Sequence, residues 1–231
     1  MPPPEPRAAI FLRSVRTVFL KDLRSELRTR YAVSALLMFV VTTIAIILFS
    51  LGSESASADA LSGMLWVVIF FAAMSGLSRT FVMEEERGTT LTLQLTAPPA
   101  AVFFGKLLFN LALVTGINAV TVVLYALFIN GFVIRTMSIF VVTVALGSIA
   151  LAAASTVIAA IIARANTKGT LYPVLSFPIM LPLLLSVIEA TRKASEGAFF
   201  AEAGGEFQLL ISYIVVVVVS SSMLFEYIWK D

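Results

Sequence analysis

Neither cysteine nor histidine occurs among the 231 residues. The first absence removes disulfides, thiolate metal sites and thiol nucleophiles; the second removes the commonest metal ligand and the usual general base near neutral pH. Most enzyme classes fall with them, so the expectation is a non-catalytic chain that binds no metal and no cofactor by itself. Charge is scarce too: charged side chains make up 13% of the chain and hydrophobic ones 59%, at a mean hydropathy of +0.99. Soluble globular domains carry about 25% charged residues, so this composition belongs in a bilayer. The 16 basic residues against 14 acidic ones leave a net charge of +2, which makes no case for nucleic acid as a partner.

Six charge-free, continuously apolar stretches cover residues 31–53, 60–78, 107–134, 137–163, 169–188 and 207–225. A helix crosses a hydrocarbon core of ~30 Å with about 20 such residues, and the second and fifth stretches sit near the short end of that range. Barrel strands would alternate apolar and polar residues instead. The sequence therefore predicts an all-α polytopic membrane protein: a cytoplasmic tip and amphipathic helix at 1–30, then a six-helix transmembrane domain at 31–231 with a cytoplasmic loop at 79–106.

Basic residues near the spans set the orientation. Thirteen of the 16 fall on one face: seven before the first span, then Arg79, Arg87, Lys106, Arg164, Lys168 and Lys230. The other face holds Arg135, Arg192 and Lys193 among several acids. Both termini are expected in the cytoplasm, with the chain crossing the membrane several times. The basic start, apolar run and Ala56-Ser57-Ala58 also suggest a secretory signal, but cleavable apolar regions are about 7–15 residues long. The first stretch is therefore expected to stay as an uncleaved span.

Before that span, Phe11, Val15, Phe19, Leu23 and Leu27 recur every four residues, while Arg13, Lys21, Arg24 and Arg28 fall on a roughly opposite sector. This pattern predicts an amphipathic elbow helix in the cytoplasmic interface, its Phe and Leu side chains in lipid. A solvated juxtamembrane helix is the plainer alternative. Pro2, Pro3, Pro4 and Pro6 precede it without an assigned structure.

The loop 79–106 is the most informative stretch. It carries Glu84, Glu85, Glu86 and Arg87, then a break at Gly88, then Leu91, Leu93 and Leu95, and Pro98-Pro99 before Gly105 and Lys106 open the third span. The acidic triplet is either the solvated end of the second span or part of a docking surface for a cytoplasmic protein. The Thr-Leu alternation after Gly88 has the period of a strand, in conflict with the short helix expected of a compact platform there.

Inside the spans ionisable residues are nearly absent, which disfavours proton- or ion-coupled transport. Asn110 and Asn118 stand in the third span. Ser148, Ala152, Thr156 and Ala160 form a small-residue packing ridge in the fourth, open to use within one chain or across a dimer. Pro173, Pro178 and Pro182 in the fifth predict a bend or a moving hinge. The segment 189–206, with Phe199-Phe200 among its acids, is either an amphipathic lid or an ordinary interfacial loop. No phosphate-binding loop of the G-x-x-x-x-G-K-[ST] type occurs, so any ATP must be hydrolysed elsewhere.

The run Glu84-Glu85-Glu86-Arg87-Gly88-Thr89-Thr90-Leu91, followed by Leu95-Thr96-Ala97-Pro98 and Gly105-Lys106, resembles the loop between spans two and three of type-2 ABC exporter permeases. More closely, the chain resembles the CcmB family, permease subunits B of the cytochrome c maturation haem exporter, over nearly its whole length. Lys21-Asp22-Leu23-Arg24-Ser25-Glu26-Leu27-Arg28 is similar to the family's basic elbow, Gly63-Met64-Leu65-Trp66-Val67 to its second span, and Lys168-Gly169 with Leu175-Ser176-Phe177-Pro178-Ile179-Met180-Leu181-Pro182-Leu183 to its fifth. The Thr-rich stretch after Gly88 and the charged loop before the last span depart from many relatives.

The resemblance implies a type-2 ABC exporter-like fold and a separate ABC ATPase holding ATP-Mg. Glu84, Glu85, Glu86, Arg87, Gly88, Leu91 and Leu95 would couple to it. It further implies a homodimer of this chain in a larger membrane complex, with haem-handling subunits, a periplasmic haem chaperone and haem as cargo. With no His or Cys, only Met and Tyr of this chain remain as axial ligand types, so haem ligation is expected in a partner. A generic type-2 permease for lipid, polysaccharide or drug, and a non-transport assembly subunit, are the competing readings.

Overall fold

The computed structural model describes residues 7–52, 56–77, 80–81, 84, 86, 88–163 and 168–230, and among these every regular element is helical. The order is α1 (Arg7–Thr29), α2 (Tyr31–Leu51), α3 (Ala58–Leu77), a short α4 (Thr90–Thr96), α5 (Pro99–Phe128), α6 (Met137–Ala163), α7 (Lys168–Glu196), a 3-10 turn (Phe200–Ala203) and α8 (Gly204–Lys230). Five helical segments among the described residues are long and apolar enough to cross a membrane: α2, α3, α5, α6 and 200–229. The fifth sequence-predicted span, 169–188, lies within the 29-residue α7, which packs on α3, α6 and α8.

Helix α6 is the centre of the bundle, touching α3, α5, α7 and α8. Its richness in Ala, Gly and Ser lets those backbones come close. Gly147 shows how close: a side chain there would run into the ring of Trp66 from α3. Trp66 is fully enclosed and donates its indole N–H to Thr191 Oγ1 at 2.8 Å, so the one polar atom of the ring is satisfied. Tyr125 on α5 likewise donates to the Leu61 carbonyl at 2.9 Å.

The elbow α1 has three sectors rather than two. Val15, Val18, Asp22 and Glu26 face the protein and are buried, where α1 packs on α5. Leu12 and Leu27 point outward on a second sector, with Phe19 and Leu23 half-buried at its edge; Arg13, Arg24 and Arg28 occupy the exposed third. The helix is therefore locked to the bundle as well as amphipathic. The contact point on α5 is Gly105, where a Cβ would lie 2.7 Å from Val18 Cβ and 3.0 Å from the Val15 carbonyl.

Helix α1 turns into α2 at Arg30, the one described non-glycine residue with positive φ (52°). Arg30 offers no side-chain cap to α2. The carboxylate of Glu26 supplies one from the previous helix, accepting Val33 N–H at 3.0 Å. An acid at a helix N-terminus satisfies an orphan donor and complements the dipole.

At the far end of the bundle Arg192 pairs with Glu189, with Glu196 (2.5 Å) and with Asp59 (3.2 Å), and Lys193 pairs with Glu206 (2.6 Å). Arg135 and Thr136 both donate their backbone N–H to the Ala194 carbonyl. The segment 189–206 is thus pinned on both sides, and most of its first half is simply the end of α7.

Candidate functional site

The loop between α3 and α5 folds around one carboxylate. Glu84 Oε1 takes a bond from Lys106 Nζ (2.8 Å) and one from Lys21, while Oε2 takes the Thr89 hydroxyl (2.5 Å). Lys106 Nζ also lies 2.9 Å from Asp22 Oδ2 and donates to the Thr80 carbonyl at 3.1 Å. Its ammonium thus hydrogen-bonds Glu84 and the Thr80 carbonyl, both in the loop, and stands in ion-pair range of Asp22 on the elbow. Two hydrogen bonds and two carboxylate charges make a lysine 1% exposed tolerable, because an unpaired buried ammonium would be strongly destabilising. The Phe81 ring adds a cation–π contact at 5.5 Å.

The charges shift one another in the expected sense. Burial pushes the Glu84 carboxyl up, but the charge of Lys106 and the bonds from Lys106, Lys21 and Thr89 outweigh it and hold the group at about 2. Burial likewise pulls the Lys21 ammonium down, and Asp22 with Glu84 more than reverse that, leaving it above its ordinary value. Both groups are ionised across the physiological range. Beside the cluster, a cleft of about 610 Å³ opens between α1, α2, α3 and α5, lined by Asp22, Glu26 and Lys106 together with Leu36, Phe109 and Leu113.

Above this clamp stands α4. Gly88 has φ +65°, which permits the reversal after the acidic run, and Pro98 is extended before Pro99 opens α5. The strand-like Thr-Leu alternation forms a helix because no described strand lies beside it to pair with, while a helix satisfies its backbone locally. In that conformation Leu93 turns half-inward and Leu91 and Leu95, four residues apart, share the outer face at 72% and 88% exposure. Gln94 ties the helix to the last turn of α8 through the Trp229 carbonyl at 2.5 Å. Beneath it Phe81, Phe103, Phe225 and Trp229 form one aromatic cluster.

The sequence-predicted residues divide accordingly. Leu91 and Leu95 are on the outer surface, Glu86 is exposed and Gly88 makes the turn; Glu84 faces inward rather than toward a partner. Glu85 and Arg87 lie outside the described residues. Lys21 is exposed like Arg13, Arg24 and Arg28 but bonds Glu84 with its ammonium, and Phe11 is half-buried with its ring 6.2 Å from Phe104. Ser148, Ala152, Thr156 and Ala160 are all buried within the chain, and Ser148 and Thr156 bond α5 through Asn118 and Asn110. Pro178 and Pro182 sit on the exposed side of α7, which runs unbroken through Pro173, Pro178 and Pro182.

Sequence reasoning missed the central pair, Asp22 and Lys106. A signal was available: Asp22 and Glu26 share a helical sector with Val15 and Val18, and two acids on the inward face of a helix demand a cationic partner.

The sequence from residue 13 to residue 226 matches the family described as CcmB protein. The chain belongs to the CcmB family. The match starts inside the elbow and ends in α8, so the Lys106 cluster, α4 and the α5/α6 ridge all fall within it. Among curated proteins the chain is similar to Heme exporter protein B of Rhodobacter capsulatus, 28% identical over 187 residues that cover 79% of this chain and 84% of the relative. As a CcmB family member it is a multi-pass membrane permease subunit of the haem exporter class.

Proposed function

We propose that the chain is the permease subunit of an ABC transporter complex in cytochrome c biogenesis, which couples ATP hydrolysis in a separate subunit to haem export or to release of a haem-loaded periplasmic chaperone. The observation that carries this reading is α4: a short helix with two leucines turned outward, tied at its start through Thr89 to Glu84 and its two lysines and along its length by Gln94 to the Trp229 carbonyl. Large exposed apolar side chains on a fixed cytoplasmic element suit a docking surface, and the rigid clamp lets a push on α4 reach the spans. The chain works as one of two copies beside haem-handling subunits, with its termini in the cytoplasm of a bacterial inner membrane. Axial ligands for haem iron come from those partners, since this chain has no His and no Cys.

The experiment is the double variant Leu91→Asp/Leu95→Asp in the native complex. Both side chains are exposed, so the level of the chain in the membrane should hold. Co-purification of the ATPase and the yield of mature cytochrome c should both fall by an order of magnitude or more, the scale expected when a buried anchor pair is lost. Wild-type maturation in this variant would sink the reading.

A further inference from the structure

The polar contacts around Lys106 continue into the membrane. The Thr80 hydroxyl lies 2.8 Å from Asn110 Oδ1, Asn110 Nδ2 donates to Thr156 Oγ1 at 2.8 Å, and Thr156 donates to the Ala152 carbonyl at 2.6 Å. Two turns further along, Asn118 Nδ2 donates to Ser148 Oγ at 2.9 Å, and Ser148 donates to the Val144 carbonyl at 2.7 Å. Lys106, Asn110, Val114 and Asn118 are spaced four apart on the buried face of α5. They run antiparallel to Thr156, Ala152 and Ser148 on α6. Asn110, Asn118 and Thr156 are fully enclosed, and Ser148 nearly so.

Two properties make this seam more than packing. Asn118 Oδ1 has no hydrogen-bond partner among the described residues, but the Asn110 amide is bonded at both ends, and in an apolar medium it must keep such partners, so α5 cannot slide gradually along α6; it must exchange one set of bonds for another. The link to the loop also has a built-in choice. The single proton of the Thr80 hydroxyl has two acceptors in reach, Asn110 Oδ1 at 2.8 Å and the Leu77 carbonyl at 3.0 Å. The Thr80 carbonyl, meanwhile, is held by Lys106.

We propose that Thr80, Asn110 and Thr156 are positioning residues that tie the seating of the α3–α5 loop to the register of the α5/α6 seam. Movement of the loop shifts Glu84 and Lys106, Lys106 carries the Thr80 backbone, and the Thr80 hydroxyl passes from Asn110 to Leu77, freeing the seam to repack. This rests on the permease reading and adds to it the route by which the loop acts on the spans.

The test is Asn110→Leu/Thr156→Val in the complete complex in native membranes. Replacing both partners of a buried bond with apolar groups of related shape is close to neutral for stability, and Thr80 retains Leu77 as an acceptor. Chain level, melting temperature and ATPase co-purification should match the wild type, while mature cytochrome c formed per ATP hydrolysed should fall about tenfold. A wild-type yield per ATP would overturn the proposal, and so would a yield that falls only in step with thermal stability, the mark of a purely structural contact. If the double variant is lost from the membrane, Thr80→Val is measured in the same way, and either of those two results in it overturns the proposal equally. The Leu91→Asp/Leu95→Asp variant separates the two ideas: intact maturation there refutes the permease reading, whereas its loss beside a fully coupled seam variant refutes the relay alone.

Discussion

At the scale of single residues, the site depends on charges that neutralise one another out of water. Glu84 is the most exacting. Its carboxyl is held at about 2 against an ordinary 4.5, so its contribution to the folded loop is complete above 4.5 and is lost as pH falls through that value toward 2. Hydrogen exchange in 88–96, corrected for intrinsic rate, should therefore be constant from pH 8 to 5 and rise steeply below 4.5. Glu84→Gln should show the raised exchange at every pH, because a neutral amide cannot satisfy two ammonium groups. Equal protection in wild type and variant at pH 7 would show that the carboxylate does not hold the loop. The inward aim of Glu84 also means that removing it perturbs the platform itself, so a docking test belongs on Leu91 and Leu95.

At the scale of elements, the helices were legible from apolar run length alone, since a bilayer admits few other solutions. The short α4 was legible only as a conflict between a strand-like period and a Gly/Pro-bounded loop. The elbow was half legible. Reading Phe and Leu against Arg gives two faces, and the third emerges only once α5 is beside it, because Val15 and Val18 need Gly105 to approach. Asp22 and Lys106 are 84 positions apart, and pattern within one helix does not reveal a partner on another. The elbow's attachment predicts that Gly105→Val lifts α1 from α5: its side chain would meet Val18 and the Val15 carbonyl, rigid atoms that cannot move aside cheaply. Trypsin should then cut at Arg24 or Arg28 several times faster in membranes opened to the cytoplasmic face. Unchanged cleavage would mean that the α1–α5 contact is looser than its geometry implies.

At the scale of the whole molecule, the two ends of the bundle differ in kind. One carries the buried Lys106 cluster, the aromatic group and α4; the other carries the half-exposed Arg192 and Lys193 ion pairs. The basic asymmetry of the sequence is the ground on which we propose the first for the cytoplasmic face. An alkaline-phosphatase fusion in the α5–α6 turn at Gly131 should be active and one in the turn at Gly88 inactive; the reverse pattern would invert the orientation. The bond from Gln94 to the Trp229 carbonyl bears on how such reagents are built. That carbonyl belongs to the last turn of α8, so a purification handle or fluorescent protein fused at that turn hangs from the element that braces α4. A complex tagged there would assemble yet work poorly, and the fault would be read as a defect of the partner. Handles belong ahead of residue 7, where the first described helix begins at the solvent-exposed end of the elbow.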